Sequence, residues 1–372
     1  MDFSLTPEQE ALRELARAIL GDHVTHERLK AIEAGGEWVD RATWAELARA
    51  RLLGLALPEA LGGSGLGLLE LCLLLEQVGS AVAPVPVLAT LVLGALPIGE
   101  FGTAAQRSRW LPGVAAGDTI LTAALVETGS DDPARPSTTA RRDGTTWRLD
   151  GVKVCVPAAH LAARVLVPAR TGDSAIGLFL LDPGTSGVKA DRQMTTSGEP
   201  QARLTLSGAT VAADDVLGDP LRGAPLVVWL TERALVGLSA IQVGVTERAL
   251  RMTADYTSKR EQFGRPIASF QAVHQRAADA YIDVEAIRLT MWQAAWRLAA
   301  GRPASAEVAV AKYWASEAAH RVVYAAQHLH GGIGVDVDYP LHRYYLWSKQ
   351  SELSLGSGMR QLVRLGGELA SA

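Results

Sequence analysis

Arg260-Glu261-Gln262-Phe263-Gly264-Arg265-Pro266-Ile267 brings a guanidinium, an aromatic ring and a glycine into one short stretch of the chain. The planar guanidinium is a permanent charge with a fixed fork of donors, which suits a diphosphate. Gly264 lets the chain turn sharply, and Phe270-Gln271 follow with a second ring and an amide. Later, Gly331-Gly332-Ile333-Gly334 succeeds His328-Leu329-His330. Without Cβ atoms, such glycines let backbone amides approach an anion. Each feature also has a plainer chemistry. Arg260 could pair with Glu261 or Asp255, and the glycines could end a helix while the histidines pack. As metal ligands, His328 and His330 lack a third partner at a fitting spacing. The loop Pro58-Glu59-Ala60-Leu61-Gly62-Gly63-Ser64-Gly65 is not a dinucleotide fingerprint. No βαβ unit surrounds it, and no acidic residue closes a second strand.

The elements that must position these residues follow an order of helices, strands and helices. Thr6 caps, Pro7 takes the first helical position and Gln9 completes a capping box ahead of Leu12, Leu15 and Ile19. Helical patterns recur at Trp44 to Ala48, Leu68 to Val78 and Val87 to Leu93, up to about Gly117. From Thr119 to about Asp219 the pattern is that of strands, with Asp150-Gly151 read as a two-residue hairpin turn between Thr145–Leu149 and Val152–Val156. From Leu226 the chain is helical again. Val273, Ala277, Ala280, Val284, Ile287, Met291, Ala294 and Leu298 recur at steps of four and three, the seam of an antiparallel bundle. The expected fold is α+β: a helical domain over 1–117, a central antiparallel, barrel-like β domain over 118–222, and a C-terminal four-helix bundle over 223–372. With 36 Lys+Arg against 40 Asp+Glu, no basic stripe suggests nucleic acid. Cys72 and Cys155 have no metal or redox spacing and read as buried small hydrophobes in a reducing compartment. Met1-Asp2-Phe3-Ser4-Leu5 lacks the pattern of a signal peptide, and the leucine-rich run Leu66 to Leu75 is too short to span a bilayer. A cytoplasmic chain without membrane insertion is expected.

Arg260-x-Gln262-Phe263-Gly264-x-Pro266-Ile267, Phe270-Gln271, Gly331-Gly332-x-Gly334 and Tyr339-Pro340, taken in that order, resemble the acyl-CoA dehydrogenase family. Its C-terminal half carries R-x-Q-F-G-x-P-I, F-Q, G-G-x-G, Y-P and E-G-T, and its N-terminal domain has a P-E-x-x-G-G-x-G loop. A lone G-G-x-G is a weak signal, but the ordered set is specific, and the α, β, α order extends the resemblance over the whole chain. In that family a glutamate removes the α-proton of an acyl-CoA while the β-hydride passes to flavin N5. An ungapped count from Tyr339-Pro340 places Leu355 on that glutamate, followed by Gly356-Ser357. A leucine cannot take a proton, so no catalytic residue is assigned. Some relatives carry the base on an earlier helix, at a position that falls here on Ala234. Glu232, two residues away, lies about 200° around the helix. Glu232 and Glu352 read as solvated or ion-paired surface residues.

The resemblance also divides the flavin site into two halves. The ring cradle, T-E-P-x-A-G-S-D and K-x-[WF]-I-T-[NS] in the family, reads here Val126-Glu127-Thr128-Gly129-Ser130-Asp131-Asp132-Pro133 and Lys153-Val154-Cys155-Val156-Pro157-Ala158. Cys155 and Val156 replace ring contacts, and Pro157 removes a hydroxyl and an amide donor. The half that holds the pyrophosphate and adenine, which the family supplies across a subunit interface, is kept as Arg260, Phe263, Phe270, Gln271, Gly331, Gly332 and Gly334. Gly356 and Ser357 belong to the same set, and His328 stands where a glutamine is common. The resemblance therefore implies the glutamate-lacking chain of an α2β2 acyl-CoA dehydrogenase of the steroid side-chain type, in lipid, fatty acid or cholesterol breakdown. Such a chain shares FAD with a glutamate-bearing homologous partner and acts on an acyl-CoA, with an electron-transfer flavoprotein or similar acceptor. A self-sufficient homotetramer with a relocated base, and a non-redox binding module of the same fold, are the alternatives.

Overall fold

The computed structural model describes residues 3–130 and 132–371, with Ser371 by its backbone alone. Met1 and Asp2 of the N-terminal reading and Asp131 of the cradle stretch lie outside the described residues. In chain order the first helices are α1 (Pro7–His23), α2 (His26–Gly35), α3 (Arg41–Arg49), α4 (Leu68–Ala81), a π-helical stretch Leu88–Ala95 leading into α5 (Leu96–Phe101), and α6 (Ala104–Ala115). Strands β1 (Leu121–Ala123), β2 (Thr139–Asp143), β3 (Thr146–Pro157), β4 (Arg164–Arg170), β5 (Ile176–Leu181), β6 (Val188–Met194), β7 (Pro200–Ala212) and β8 (Val216–Leu217) follow. After them come α7 (Ala224–Lys259), the strand pair β9 (Glu261–Gln262) and β10 (Arg265–Pro266), α8 (Gln271–Ala299), α9 (Ser305–His330), α10 (Leu341–Leu353) and α11 (Gly358–Ser371).

The chain divides into two compact units, both built from discontinuous segments. The first comprises Met1–Ala34, Leu68–Ala83 and Leu235–Ala372. Its first helix starts as its sequence dictates: the Thr6 hydroxyl accepts from Gln9 N at 3.3 Å and the Gln9 side chain accepts from Thr6 N at 3.1 Å. Helices α4 and α7 cross backbone to backbone, for a Cβ on Gly244 would lie 1.8 Å from the Glu76 carbonyl and one on Gly79 2.1 Å from that of Ile241. The α8 seam is buried from Ala280 through Val284, Ile287, Met291, Ala294 and Leu298. Gln242 of α7 ties the bundle together, its amide nitrogen donating to the Ala315 carbonyl of α9 at 3.0 Å and to Ser348 Oγ of α10 at 3.0 Å. Among the described residues α7 is the one helix long and apolar enough to cross a membrane, and most of its apolar stretch is buried, as in a core helix.

The second unit comprises Gly35–Gly67 and Pro84–Ala234. Its sheet runs β6-β7-β3-β2-β4-β5-β8, with β1 beside β4. Most pairings are antiparallel, as expected, while β1 and β2 both pair with β4 in parallel and make the sheet mixed. The hairpin also moves. Gly144-Thr145 makes the two-residue turn between β2 and β3, with Gly144 at φ 60°, and β3 continues past Asp150-Gly151 with a shift of register against β7 there. Both Asp-Gly pairs carry the turn signal, but Asp150 is occupied by a tertiary bond, its carboxylate accepting from Gly208 N at 2.7 Å. Gly151 is needed for close approach, since a Cβ there would lie 2.6 Å from Thr138 Oγ1. The Pro58–Gly65 loop is a packed turn, with Gly63 held against the Leu57 carbonyl so closely that a Cβ would sit 2.0 Å from it.

Candidate functional site

In the first unit, Phe263 and Gly264 form the tip of the β9–β10 hairpin at φ 54° and 76°. Two successive positive φ angles fit a tight hairpin turn, yet a side chain in that region costs about 1–2 kcal/mol. The strained residue is also 92% exposed. Phe263 meets Phe270 edge-on at 6.2 Å, and the Arg265 guanidinium covers the Phe270 ring at 4.1 Å. The backbone of Arg260 is held by Tyr256 and Ile267, its N donating to Tyr256 O at 2.9 Å and its O accepting from Ile267 N at 2.8 Å. Its side chain is exposed. Among the described residues Arg260 makes no ion pair, so pairing with Glu261 or Asp255 does not occur.

Helix α9 ends beside this hairpin's own helix. His330 is buried, with Nδ1 2.8 Å from the Ala326 carbonyl and Nε2 3.2 Å from Tyr339 Oη, and it stacks on Tyr256 at 4.4 Å. Burial holds its imidazole below the usual histidine range, so it is a neutral packing residue. Exposed His328 has Nδ1 2.6 Å from Arg276 Nη1. A guanidinium only donates, so this nitrogen accepts and the ring proton lies on Nε2. Gly331 adopts φ 65°, ψ −144°, a region essentially closed to other residues. Nothing lies within 4 Å of a Cβ built on Gly331 or Gly332, so that backbone stands open. Gly334 differs: a Cβ there would meet Gln327 Oε1 at 2.5 Å, and that buried oxygen has no hydrogen-bond partner. Gln271 is exposed and Phe270 half-buried. The structure therefore gathers these residues on the α7–α8 hairpin and the end of α9, where they offer a guanidinium without an ion pair, an exposed ring and an exposed glycine backbone whose Gly331 N–H caps α9. Among the described residues no group of three His, Cys, Asp or Glu could hold a metal.

Leu355 and Gly356 follow α10 at φ 54° and 96°. The Gln361 amide lies 3.4 Å from the Leu355 carbonyl, and Ser357 O accepts from Gln361 N at 3.2 Å. The carboxylate of Glu352 is occupied, accepting from Lys349 Nζ at 2.7 Å, which agrees with its reading as an ion-paired residue. Sequence reasoning missed Lys312 of α9, which is 1% exposed. Its Nζ donates to Ser316 Oγ at 3.1 Å, Ser351 O at 2.8 Å and Glu352 O at 3.0 Å, capping the last turn of α10. Burial pulls this ammonium down to about 7, opposed by Glu352. The signal was there in outline: a lysine four residues before Ser316 in an alanine-rich helix, on its buried face.

In the second unit, Lys153 Nζ donates to Glu127 Oε1 at 2.6 Å, and both side chains are buried. Glu127 also accepts from Ser137 N and from Thr138 N and Oγ1, which satisfies the charge as burial requires. Burial pulls Lys153 down to about 8 against the attraction of Glu127. The stretch that follows has little left to offer. Cys155 N already donates to Gln193 Oε1 at 2.9 Å, Val156 points into the core, and Pro157 has no N–H. Cys155 is itself exposed, at φ 52°, while Cys72 is buried. This corrects the reading of both as buried, because a register shift between Lys153 and Val156 turns Cys155 outward. Glu232 is corrected too: it is buried, and Ala234 fully so, because the start of α7 packs on several faces. Glu199, just before β7, has its carboxyl pushed up to about 7 by burial, with Gln201 Nε2 donating to it at 3.2 Å.

Two family models match the sequence, the acyl-CoA dehydrogenase N-terminal domain over residues 6–118 and its C-terminal domain over residues 222–366. Acyl-CoA dehydrogenase FadE27 of Mycobacterium tuberculosis is 41% identical, covering 100% of this chain and 99% of the relative. FadE28 of the same organism is 37% identical over 98% of both. The chain belongs to the acyl-CoA dehydrogenase family. Members are oxidoreductases acting on CH–CH bonds, and they bind FAD. Two solved structures extend the likeness to this dehydrogenase chain. A variant of the Tcur3481-Tcur3483 steroid acyl-CoA dehydrogenase is 48% identical over 98% of both chains with a TM-score of 0.91. The ChsE4-ChsE5 complex from Mycobacterium tuberculosis is 41% identical over 100% of both chains with a TM-score of 0.94.

Proposed function

We propose that this chain is the glutamate-lacking subunit of a two-chain acyl-CoA dehydrogenase, supplying the ADP-half contacts to a FAD whose ring is held by a homologous partner. The observation that carries this reading is the contrast between the two halves of the site. Arg260, Phe263, Gly331 and Gly332 are exposed, Arg260 makes no ion pair among the described residues, and Phe263 is kept in a strained backbone conformation. The stretch from Cys155 to Pro157 has its donors used or removed. A bound FAD would supply the hydride acceptor. This chain's part is to bind and orient it: Arg260 and the exposed backbone of Gly331 and Gly332 on the diphosphate, Phe263 and Phe270 on the adenine side, with Gln271, His328 and Gly334 in the same region. Gly356 and Ser357 stand apart from it, next to Gly358, which packs on Glu317 in the middle of α9. No proton is removed here, because Leu355 has no basic atom and Glu352 is committed to Lys349. The backbone at Leu355-Gly356 takes a left-handed turn. A steroid side-chain CoA ester as substrate draws support from the relative described as a steroid acyl-CoA dehydrogenase. The exposed free thiol of Cys155 suits a reducing cytoplasm.

The test is co-expression with a glutamate-bearing homologue, followed by counting flavins per tetramer and assaying dye reduction. The expected result is fewer flavins than chains and no activity from this chain alone. In the complex, Arg260→Ala should weaken flavin retention by about 1.5–3 kcal/mol, the scale of a hydrogen bond to a charged group. Unchanged retention, or robust turnover by the isolated chain, would overturn the proposal.

A further inference from the structure

A cleft of about 720 Å³ lies within the first unit, and none of Arg260, Gly331, Gly332 and Gly334 is among the residues that line it. Six guanidinium groups face it, those of Arg13, Arg17, Arg248, Arg251, Arg288 and Arg343, against the carboxylates of Glu14, Glu76 and Glu247. The arginines share these acids. Glu14 serves both Arg13 and Arg17, and Glu247 serves both Arg251 and Arg288. The remaining ion-pair partners, Glu10, Glu33 and Glu285, are off the cleft wall. Arg288 and Arg343 have all three guanidinium nitrogens engaged by these acids and His26, whereas Arg13, Arg17 and Arg251 are ion-paired through one nitrogen each. Arg248 is exposed and bonds the Tyr344 hydroxyl rather than a carboxylate. Burial also raises the Glu76 carboxyl, with Arg288 opposing and Glu247 adding to the rise. Between the arginines the cleft is apolar, with Leu20, Val24, Val82 and Met252.

We propose that this cleft is a second anion site, built for an organic phosphate of mononucleotide size. The volume falls within the range of small-molecule sites. Arginine forks match phosphate oxygens in pairs, and the apolar strip accommodates a base or other flat body. The phosphate could come from a free nucleotide or from the nucleotide end of a coenzyme. Both present the same chemistry to the arginines.

The test uses the full chain at low ionic strength, where surface charge is least screened, with calorimetric titration of ADP, CoA and inorganic pyrophosphate. Binding of ADP or CoA in the micromolar range is expected, and the tighter of the two identifies the source. Arg248→Gln should weaken that binding at least about tenfold, the effect of one lost charged hydrogen bond, and exposed Arg17→Gln should weaken it in the same direction. Arg260→Ala, which lies in the other phosphate-facing region, should leave it unchanged. Circular dichroism confirms that each variant is folded, and Arg17→Gln stands in if Arg248→Gln is not. Absence of binding by all three probes overturns the proposal. So does binding lost in Arg260→Ala but kept in Arg248→Gln and Arg17→Gln, since the ligand would then occupy the other region.

Discussion

Replacing Lys312 with methionine tests how the end of α10, and hence the Leu355 turn, is held. The ammonium has three acceptors and no carboxylate within its own hydrogen-bonding set. Burial lowers it from 10.5 to about 7. The sign follows from proton binding. Between about pH 7 and 10.5 the unfolded chain holds a proton that the folded chain has released, so stability rises with pH through that window. The whole shift corresponds to about 5 kcal/mol, and the part between pH 7 and 9 to about 2 kcal/mol. Lys312→Met removes this dependence and leaves the Ser351 and Glu352 carbonyls without their donor, at about 1–3 kcal/mol for each group that stays dry. The variant should therefore be less stable than the parent, with a deficit that grows by about 2 kcal/mol from pH 7 to 9. Urea midpoints across that range measure the difference, and titrations common to both proteins, such as that of Lys153, cancel. Hydrogen exchange should show faster opening around residues 351–358 in the variant. Parallel pH profiles would refute the reasoning, for they would mean that the three oxygens keep Lys312 charged throughout.

Leu355→Glu in the isolated chain should yield no acyl-CoA dehydrogenation in a dye assay, because Cys155 to Pro157 offer the flavin ring no free donor. Turnover by that variant would show the ring site to be whole. Glu199→Gln should leave the turnover of the two-chain complex unchanged, and a collapse of kcat would make Glu199, whose carboxyl titrates near 7, the relocated base. Gly244→Ala should destabilise the first unit by at least about 1–3 kcal/mol, since the added methyl would lie 1.8 Å from the Glu76 carbonyl oxygen and 2.6 Å from Ser80 N, both backbone atoms. A thermal shift within error would mean that α4 and α7 separate at little cost.

The primary sequence alone determined the elements whose signals are local. The Thr6–Gln9 capping box, the four-and-three seam of α8 and the chemistry missing at Leu355 all concern residues near one another in the chain. An ordered motif needs no coordinates to be recognised, and the family and its α, β, α order followed from it. Where two segments carry equal local signals, only tertiary contacts decide. Gly144-Thr145 turns while β3 continues past Asp150-Gly151 with only a register shift, because the Asp150 carboxylate is claimed by Gly208 and Gly151 by Thr138. The sheet is mixed because β1 and β2 lie parallel to β4, a pairing that no pattern within a strand encodes. Burial of Lys153 and Glu232 was likewise invisible, and that of Lys312 legible only in outline, since a charged residue reads as surface until the partners that satisfy it are brought in from distant segments. The arginine-walled cleft draws on α1, α4, α7, α8 and α10. Its residues are unremarkable one by one, and their shared field exists only once long-range packing has set those helices side by side.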